Sequence, residues 1–214
     1  MNKSTSSFTI VAAFCGFLAC IGDITIPFIL GAFFPGYDFI KLSESFLGTT
    51  TSPVGMWMDI WSVCLGVLLI VFAIGLLKTL PQNTNWSKVL MWFIIFYGLG
   101  EGAGSGLFPN DYIGEIPTWT AKVHSVFGAI GGTGLALMPF ASMMVFSKKI
   151  FPTLHNFSLF VLISGFLFII LFLMSSHELI PFKGLWQRIF LADYYSLMIV
   201  LAVRMKKIQR NQTF

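Results

Sequence analysis

The chain alternates between long apolar runs and short polar breaks. Six apolar runs stand out: Phe8 to Phe34, Met56 to Leu77, Val89 to Leu107, Trp119 to Phe146, Phe157 to Ser176 and Leu185 to Met205. A helix needs about twenty apolar residues to cross a hydrocarbon layer ~30 Å thick. Inside that layer no water satisfies backbone N–H and C=O groups, so continuous runs of this length predict helices. The breaks are short, and consecutive helices are expected to pack antiparallel. No internal repeat or long linker divides the pattern. It predicts one all-α domain over residues 1–214, a polytopic membrane protein built as a six-transmembrane-helix bundle.

The first run shares features with a cleaved leader. Lys3 ahead of the apolar stretch Phe8 to Cys20 resembles a secretory signal, and "FLAC" loosely resembles a lipoprotein cleavage box. Phe17, however, stands where such a box takes a smaller aliphatic residue. The run also continues past Asp23 to Phe34, so it reads as a retained span.

Composition agrees with the pattern. Hydrophobic residues make up 56% of the chain and charged residues 10%, with a mean hydropathy of +0.83. Soluble domains carry about 25% charged residues, so this chain lacks the polar side chains to cover a water-facing surface. The formal charge of +4 does not point to nucleic acid, because the basic residues sit at helix ends and form no aromatic-interleaved patch. Cys15, Cys20 and Cys64 all lie inside apolar runs, without a CxxC pair, and read as packing residues.

The positions of the bases set an orientation. Lys3, Lys78, Lys88, Lys148, Lys149, Arg204, Lys206, Lys207 and Arg210 fall on one side, and Lys41, Lys122, Lys183 and Arg188 on the other. The positive-inside rule then places both termini in the cytosol. In that topology the acids Asp23, Asp38, Glu44, Asp59, Glu101, Asp111, Glu115, Glu178 and Asp193 lie in outer loops, or in the outer half or near the middle of spans. Asp23, Glu101 and Asp193 sit several residues inside apolar runs. An ionisable group there costs about 2.5–3.5 kcal/mol on insertion scales and usually faces the bundle interior or a wet cavity.

Helical spacing groups these residues with small ones. Asp23 aligns with Gly16, Ala19, Cys20 and Pro27, and Asp59 with Ser62, Gly66 and Ala73. Glu101 lies between Tyr97 and Ser105, beside the row Gly98, Gly102, Gly106. His124 leads into Gly128, Gly131 and Gly132. Small residues mark faces where helices approach closely, so the polar groups are expected on or beside packed faces. That arrangement serves either a ligand site or helix packing with the acids as hydrogen-bonding glue.

Several chemistries lack their residues. No helix carries HxxxH or ExxH, the usual pair for a metal, and His124 and His177 are placed opposite to His155. "AGSG" at Ser105 resembles an intramembrane serine protease, but Ala103 replaces the expected glycine and the last span has no histidine. The cytosolic halves of the spans have neither acids nor histidines, which argues against a through-going proton path and favours a cavity open to one side. Transport by rocking stays compatible with such a cavity. No cofactor and no metal are expected.

The motifs "FFPGYDF", "LSESFLGTTTSP", "GLFPND", "KVHSVFGAIGG" and "KGLWQRIFLADYYSLMIVLAV" follow one another along nearly the whole chain. In this order they resemble the prokaryotic domain-of-unknown-function family nine-nine-eight, membrane proteins of six to seven spans. The resemblance touches Pro35, Gly36 and Tyr37; Ser43, Leu47, Gly48 and Pro53; Gly106, Phe108, Pro109 and Asp111; His124; and Gly184, Leu185, Trp186, Gln187 and Arg188. The family more often has Glu-Arg where this chain has Gln187-Arg188. The resemblance implies the fold and a cytoplasmic (inner) membrane of a prokaryote, and it carries no activity. A more distant similarity to eukaryotic DRAM- and Sfk-type six-span proteins would imply lipid-related roles, by analogy of fold alone.

The functional expectation is an outward-facing polar pocket that binds a lipid headgroup, small solute or cation. Its candidate lining is Asp23, Asp59, Glu101, Asp111, His124 and Arg188. One alternative is a membrane enzyme acting on lipids, with Asp111 and His124 as an acid/base pair across the loop that Pro109 opens and Pro117-Thr118 closes. The other is a structural or partner-binding bundle. The expected partner is the bilayer, and nucleic acid is not expected.

Overall fold

A computed structural model describes residues 3–80, 85–114 and 116–210, and Glu115 lies outside them. The apolar runs form long helices: α1 (Lys3–Ala32), α2 (Gly55–Thr79), α3 (Asn85–Leu107), α4 (Trp119–Val145), α5 (Pro152–Ser176) and α6 (Lys183–Arg210). Among the described residues, α1 to α5 are long and apolar enough to cross a membrane. The sequence expectation was of six such spans. α6 is of comparable length but carries Arg188, Asp193 and Arg204 along its described part.

Local signals explain the helix ends. Phe108 leaves helical conformation at φ −127°, ψ 98°, just ahead of Pro109, because proline disfavours the helical region for the residue before it. Thr118 caps α4 by accepting from Ala121 N at 3.2 Å. Pro117 therefore precedes the cap, outside the helix. The connection between α3 and α4 is a small antiparallel hairpin, with β1 (Tyr112–Ile113) paired to β2 (Ile116–Pro117). Gly114 takes φ +61° at its turn, a conformation glycine adopts without steric cost.

In the bundle α1 lies against α2 and α6, α3 between α2 and α4, and α5 against α4 and α6. Ala12, Ala19, Leu69, Phe72, Met138 and Met198 are fully buried between them. Phe14, Ile29, Phe160 and Ile163 face outward, as suits a surface bathed in hydrocarbon.

Glycine decides how closely α3 approaches both neighbours. Residues Gly98–Gly104 form a π-helical stretch within α3, a feature often found at functional sites. Gly98, Gly102 and Gly106 face α2: a Cβ on Gly102 would stand 2.7 Å from Gly66 Cα, and one on Gly106 2.6 Å from the Asp59 carbonyl oxygen. Gly100 and Gly104 face α4, against the Phe127 carbonyl and ring. Glu101 is carried between these two sealed faces.

The glycines of α4 divide, which the sequence spacing did not show. Gly131 packs against Glu101 N, 2.7 Å from its would-be Cβ, and Gly134 against the Phe93 carbonyl at 2.6 Å. Gly132 has nothing within 4 Å, and Gly128 meets the Glu101 carboxyl at 3.4 Å. One side of α4 is a packing face. The other borders empty space.

Candidate functional site

Asp23 is 5% exposed and anchored from two helices. Trp61 Nε1 of α2 donates to its Oδ1 at 2.8 Å, and the Tyr195 hydroxyl of α6 donates to its Oδ2. The hydroxyls of Tyr195 and Tyr97 are hydrogen-bonded in turn, so a polar chain links α2, α1, α6 and α3. Three aromatic partners explain how a deep acid is tolerated in an apolar bundle. Sequence spacing placed Asp23 inward but gave no signal for Trp61, Tyr97 or Tyr195, which come from distant runs.

The segment between α1 and α2 folds back onto the bundle. Tyr37, Leu47, Val54 and Met58 form a separate small core, and Glu44–Gly48 make a 3-10 turn. Arg188 holds this segment down. Its Nη1 donates to the carbonyls of Phe39 at 2.6 Å, Leu42 at 3.2 Å and Gly184 at 2.9 Å, and its Nη2 to Tyr37 Oη at 2.9 Å. Its Nε lies 3.6 Å from Glu44 Oε1. The guanidinium is thus committed to the protein itself. Next to it, Gln187 Oε1 accepts from Glu44 N at 2.8 Å. An amide oxygen suffices for that bond, so this role needs no carboxylate at position 187.

Glu44 is the buried, cavity-lining acid that sequence reasoning left out of its candidate site. Its signal was a place within "LSESFLG", but burial of that segment depends on Arg188 from far along the chain. Burial raises the Glu44 carboxyl from 4.5 to about 8, with Asp23 adding to the shift and Arg188 opposing it. The folded state therefore holds a proton that the unfolded chain releases near 4.5. Stability from that proton is complete below the unfolded value and lost as pH rises through about 8. Thermal midpoints in detergent are expected to fall across this window, and Glu44→Gln to flatten the fall. A slope unaltered by the substitution would show that another group sets it.

Asp23, Glu44, Asp59, Glu101 and His124 line one cavity of about 630 Å³. It lies at the bundle end that carries the α1–α2 segment, the hairpin and the α5–α6 turn. Ser62, Ser105, Asn110 and Gln187 add hydroxyl and amide groups, and among the described residues neither lysine nor arginine is in the lining. The Asn110 Oδ1 atom is buried without a hydrogen-bond partner. Met58 and Leu65 of α2, Ile169 and Phe172 of α5, and Phe190 and Leu191 of α6 make the rest of the wall largely apolar.

Other sequence candidates lie elsewhere. Asp111 is outside the lining, and its Oδ1 accepts from Thr50 N at 2.9 Å, tying the α3–α4 hairpin to the α1–α2 segment. His124 Nδ1 bonds with the Phe108 carbonyl oxygen at 2.9 Å. Among the described residues, neither a hydrogen bond nor an ion pair joins His124 to Asp111. Arg188 stands behind the wall. Asp193 accepts from Ser164 Oγ at 2.8 Å, joining α6 to α5 away from the cavity. His155 Nδ1 bonds with the Phe146 carbonyl at 3.0 Å, and His177 follows the last turn of α5. No group of three or more metal-ligating side chains forms among the described residues.

Apolar helices of membrane-crossing length, packed through glycine faces around buried carboxylates, define a multi-pass integral membrane protein. More particularly, the chain belongs to a family of proteins of unknown function, DUF998, whose family model matches residues 11–204. Comparison with curated proteins and with solved structures gives no match.

Proposed function

We propose that this protein is a non-enzymatic six-span membrane protein that binds a small cationic or hydroxylated group in the cavity lined by Asp23, Glu44, Asp59 and Glu101. The supporting observation is the sign of the lining: carboxyl groups converge from α1, α2, α3 and the α1–α2 segment, and among the described residues His124 is the one basic group beside them, with neither lysine nor arginine. Arg188, behind the wall, is engaged with backbone carbonyls and Tyr37. A polar headgroup, a small solute and a simple cation all offer the complementary chemistry. Asp111 and His124 serve the loops in this reading, which favours a binder over a lipid-modifying enzyme. α6 completes the bundle as its sixth span, in which Arg188 and Asp193 are tolerated because they bond to the α1–α2 segment and to Ser164.

Tetramethylammonium is expected to raise the thermal midpoint of the purified protein above that in sodium chloride of equal ionic strength, and Glu101→Gln to remove the rise. Equal midpoints in the two salts would overturn the cation-binding reading.

The uneven distribution of lysine and arginine further supports cytosolic termini and a cavity mouth on the outer side, and the family resemblance supports residence in a prokaryotic inner membrane. Cysteine placed at Lys149 in a cysteine-free background is expected to resist an impermeant maleimide added to intact cells, whereas cysteine at Asn110 should react. Labelling of position 149 from outside would reverse the orientation.

A further inference from the structure

The cavity has two chemically different ends and an opening in its flank. Toward the α4–α5 side its wall is formed by Ala129, Gly132 and Thr133 of α4 and by Ile169, Phe172 and Leu173 of α5. Ala129 and Thr133 are exposed, and Leu173 is 50% exposed, although all three line the cavity. A residue that both lines a cavity and lies open on the outside of a helix pair marks the rim of a lateral opening.

The two helices are joined away from this flank. At their other end Ser142 Oγ and Ser158 Oγ are hydrogen-bonded at 2.8 Å, and both residues are fully buried. Toward the cavity that contact is not continued. Gly132 presents no side chain, and a Cβ built on it would find nothing within 4 Å. Small residues normally let helices close together; at this position the same chemistry keeps a slot open. α4 and α5 are both long and apolar enough to cross the membrane, so a slot between them faces hydrocarbon rather than water.

We infer that the ligand is an amphiphile from the bilayer, with an amine-bearing cationic headgroup at the carboxyl end and its hydrocarbon chain lying through the slot between α4 and α5. The inference rests on the cation-binding reading above and adds the chain and its route. The apolar wall suits methylene groups, whose burial against protein replaces lipid contacts at little cost. An anionic headgroup would meet Asp23, Glu44, Asp59 and Glu101 without a lysine or arginine among the described lining residues to offset them. A water-soluble ligand would have no use for an opening toward lipid.

The test uses the full chain in phosphatidylcholine nanodiscs with a long-chain primary amine carrying a diazirine at mid-chain. The fatty acid of equal length carrying the same diazirine is the comparison. The amine is expected to label the 129–133 and 169–173 segments at least about tenfold more than the acid does. Gly132→Leu should block the slot and remove this labelling; Ala129→Leu serves as a second obstruction should the first variant fold poorly. Absence of amine labelling on both segments, with tetramethylammonium still stabilising, would overturn the lateral route and leave the cation site standing. Equal labelling by the acid would overturn the headgroup assignment. Failure of both labelling and stabilisation would remove the cation site as well.

Discussion

With leucine at position 102, the detergent-solubilised protein is expected to lose most of its thermal stability. The Cβ alone would stand 2.7 Å from Gly66 Cα and N and 3.0 Å from the Ser62 carbonyl oxygen. These are backbone atoms of α2, so no side-chain rotation relieves the clash, and the whole helix must move. α3 cannot retreat, because Gly100 and Gly104 seat it equally tightly on α4. Overpacking of ordinary cores costs about 1–3 kcal/mol, and backbone against backbone on both sides places this variant at or above the upper limit. A midpoint within a degree or two of wild type would mean that the α2–α3 contact is not formed in the membrane.

Arg188→Ala is expected to be the other severe variant. The arginine side chain is 11% exposed; it satisfies carbonyls of Phe39, Leu42 and Gly184 and the Tyr37 hydroxyl, and its Nε lies beside the Glu44 carboxyl. It also lies over the rings of Phe28 and Phe39. Each buried acceptor left without its donor costs about 1–3 kcal/mol, and here three backbone carbonyls and the Tyr37 hydroxyl lose theirs together. The damage should concentrate in the α1–α2 segment, read as faster amide exchange across residues 35–48. Arg188→Lys should rescue little, since an ammonium cannot reproduce the planar fork. Adding Glu44→Gln to Arg188→Ala should recover part of the loss by removing the unpaired carboxyl. Unchanged exchange in that segment would show that Arg188 does not hold it.

Both variants act at positions the sequence marked, yet for different reasons. The row Gly98, Gly102, Gly106 could be read as a contact face because helical spacing is fixed by the backbone and small residues have one common use in membranes. Asp23, Asp59, Glu101 and His124 were legible as inward-facing for a related reason: a deep ionisable group is costly against lipid. Arg188 was legible as important but not in its role. Only the folded chain shows that it clamps the α1–α2 segment instead of facing a ligand. Gly131 and Gly132 are adjacent in sequence, and nothing local tells that one touches α3 while the other borders a void.

By itself the sequence determined the class of protein, the number and limits of the apolar runs, the depth of the acids and the asymmetry of the bases. Each of these follows from the free energy of placing one residue type in hydrocarbon or water, a property summed along the chain. The tertiary structure alone decided which acid meets which aromatic, that Glu44 joins the cavity while Asp111 and Asp193 do not, and where α4 and α5 part. Those outcomes depend on pairs of groups far apart in sequence and on the side chains that glycine leaves out. Helical periodicity specifies a face of each helix, but not the neighbour that the face will meet.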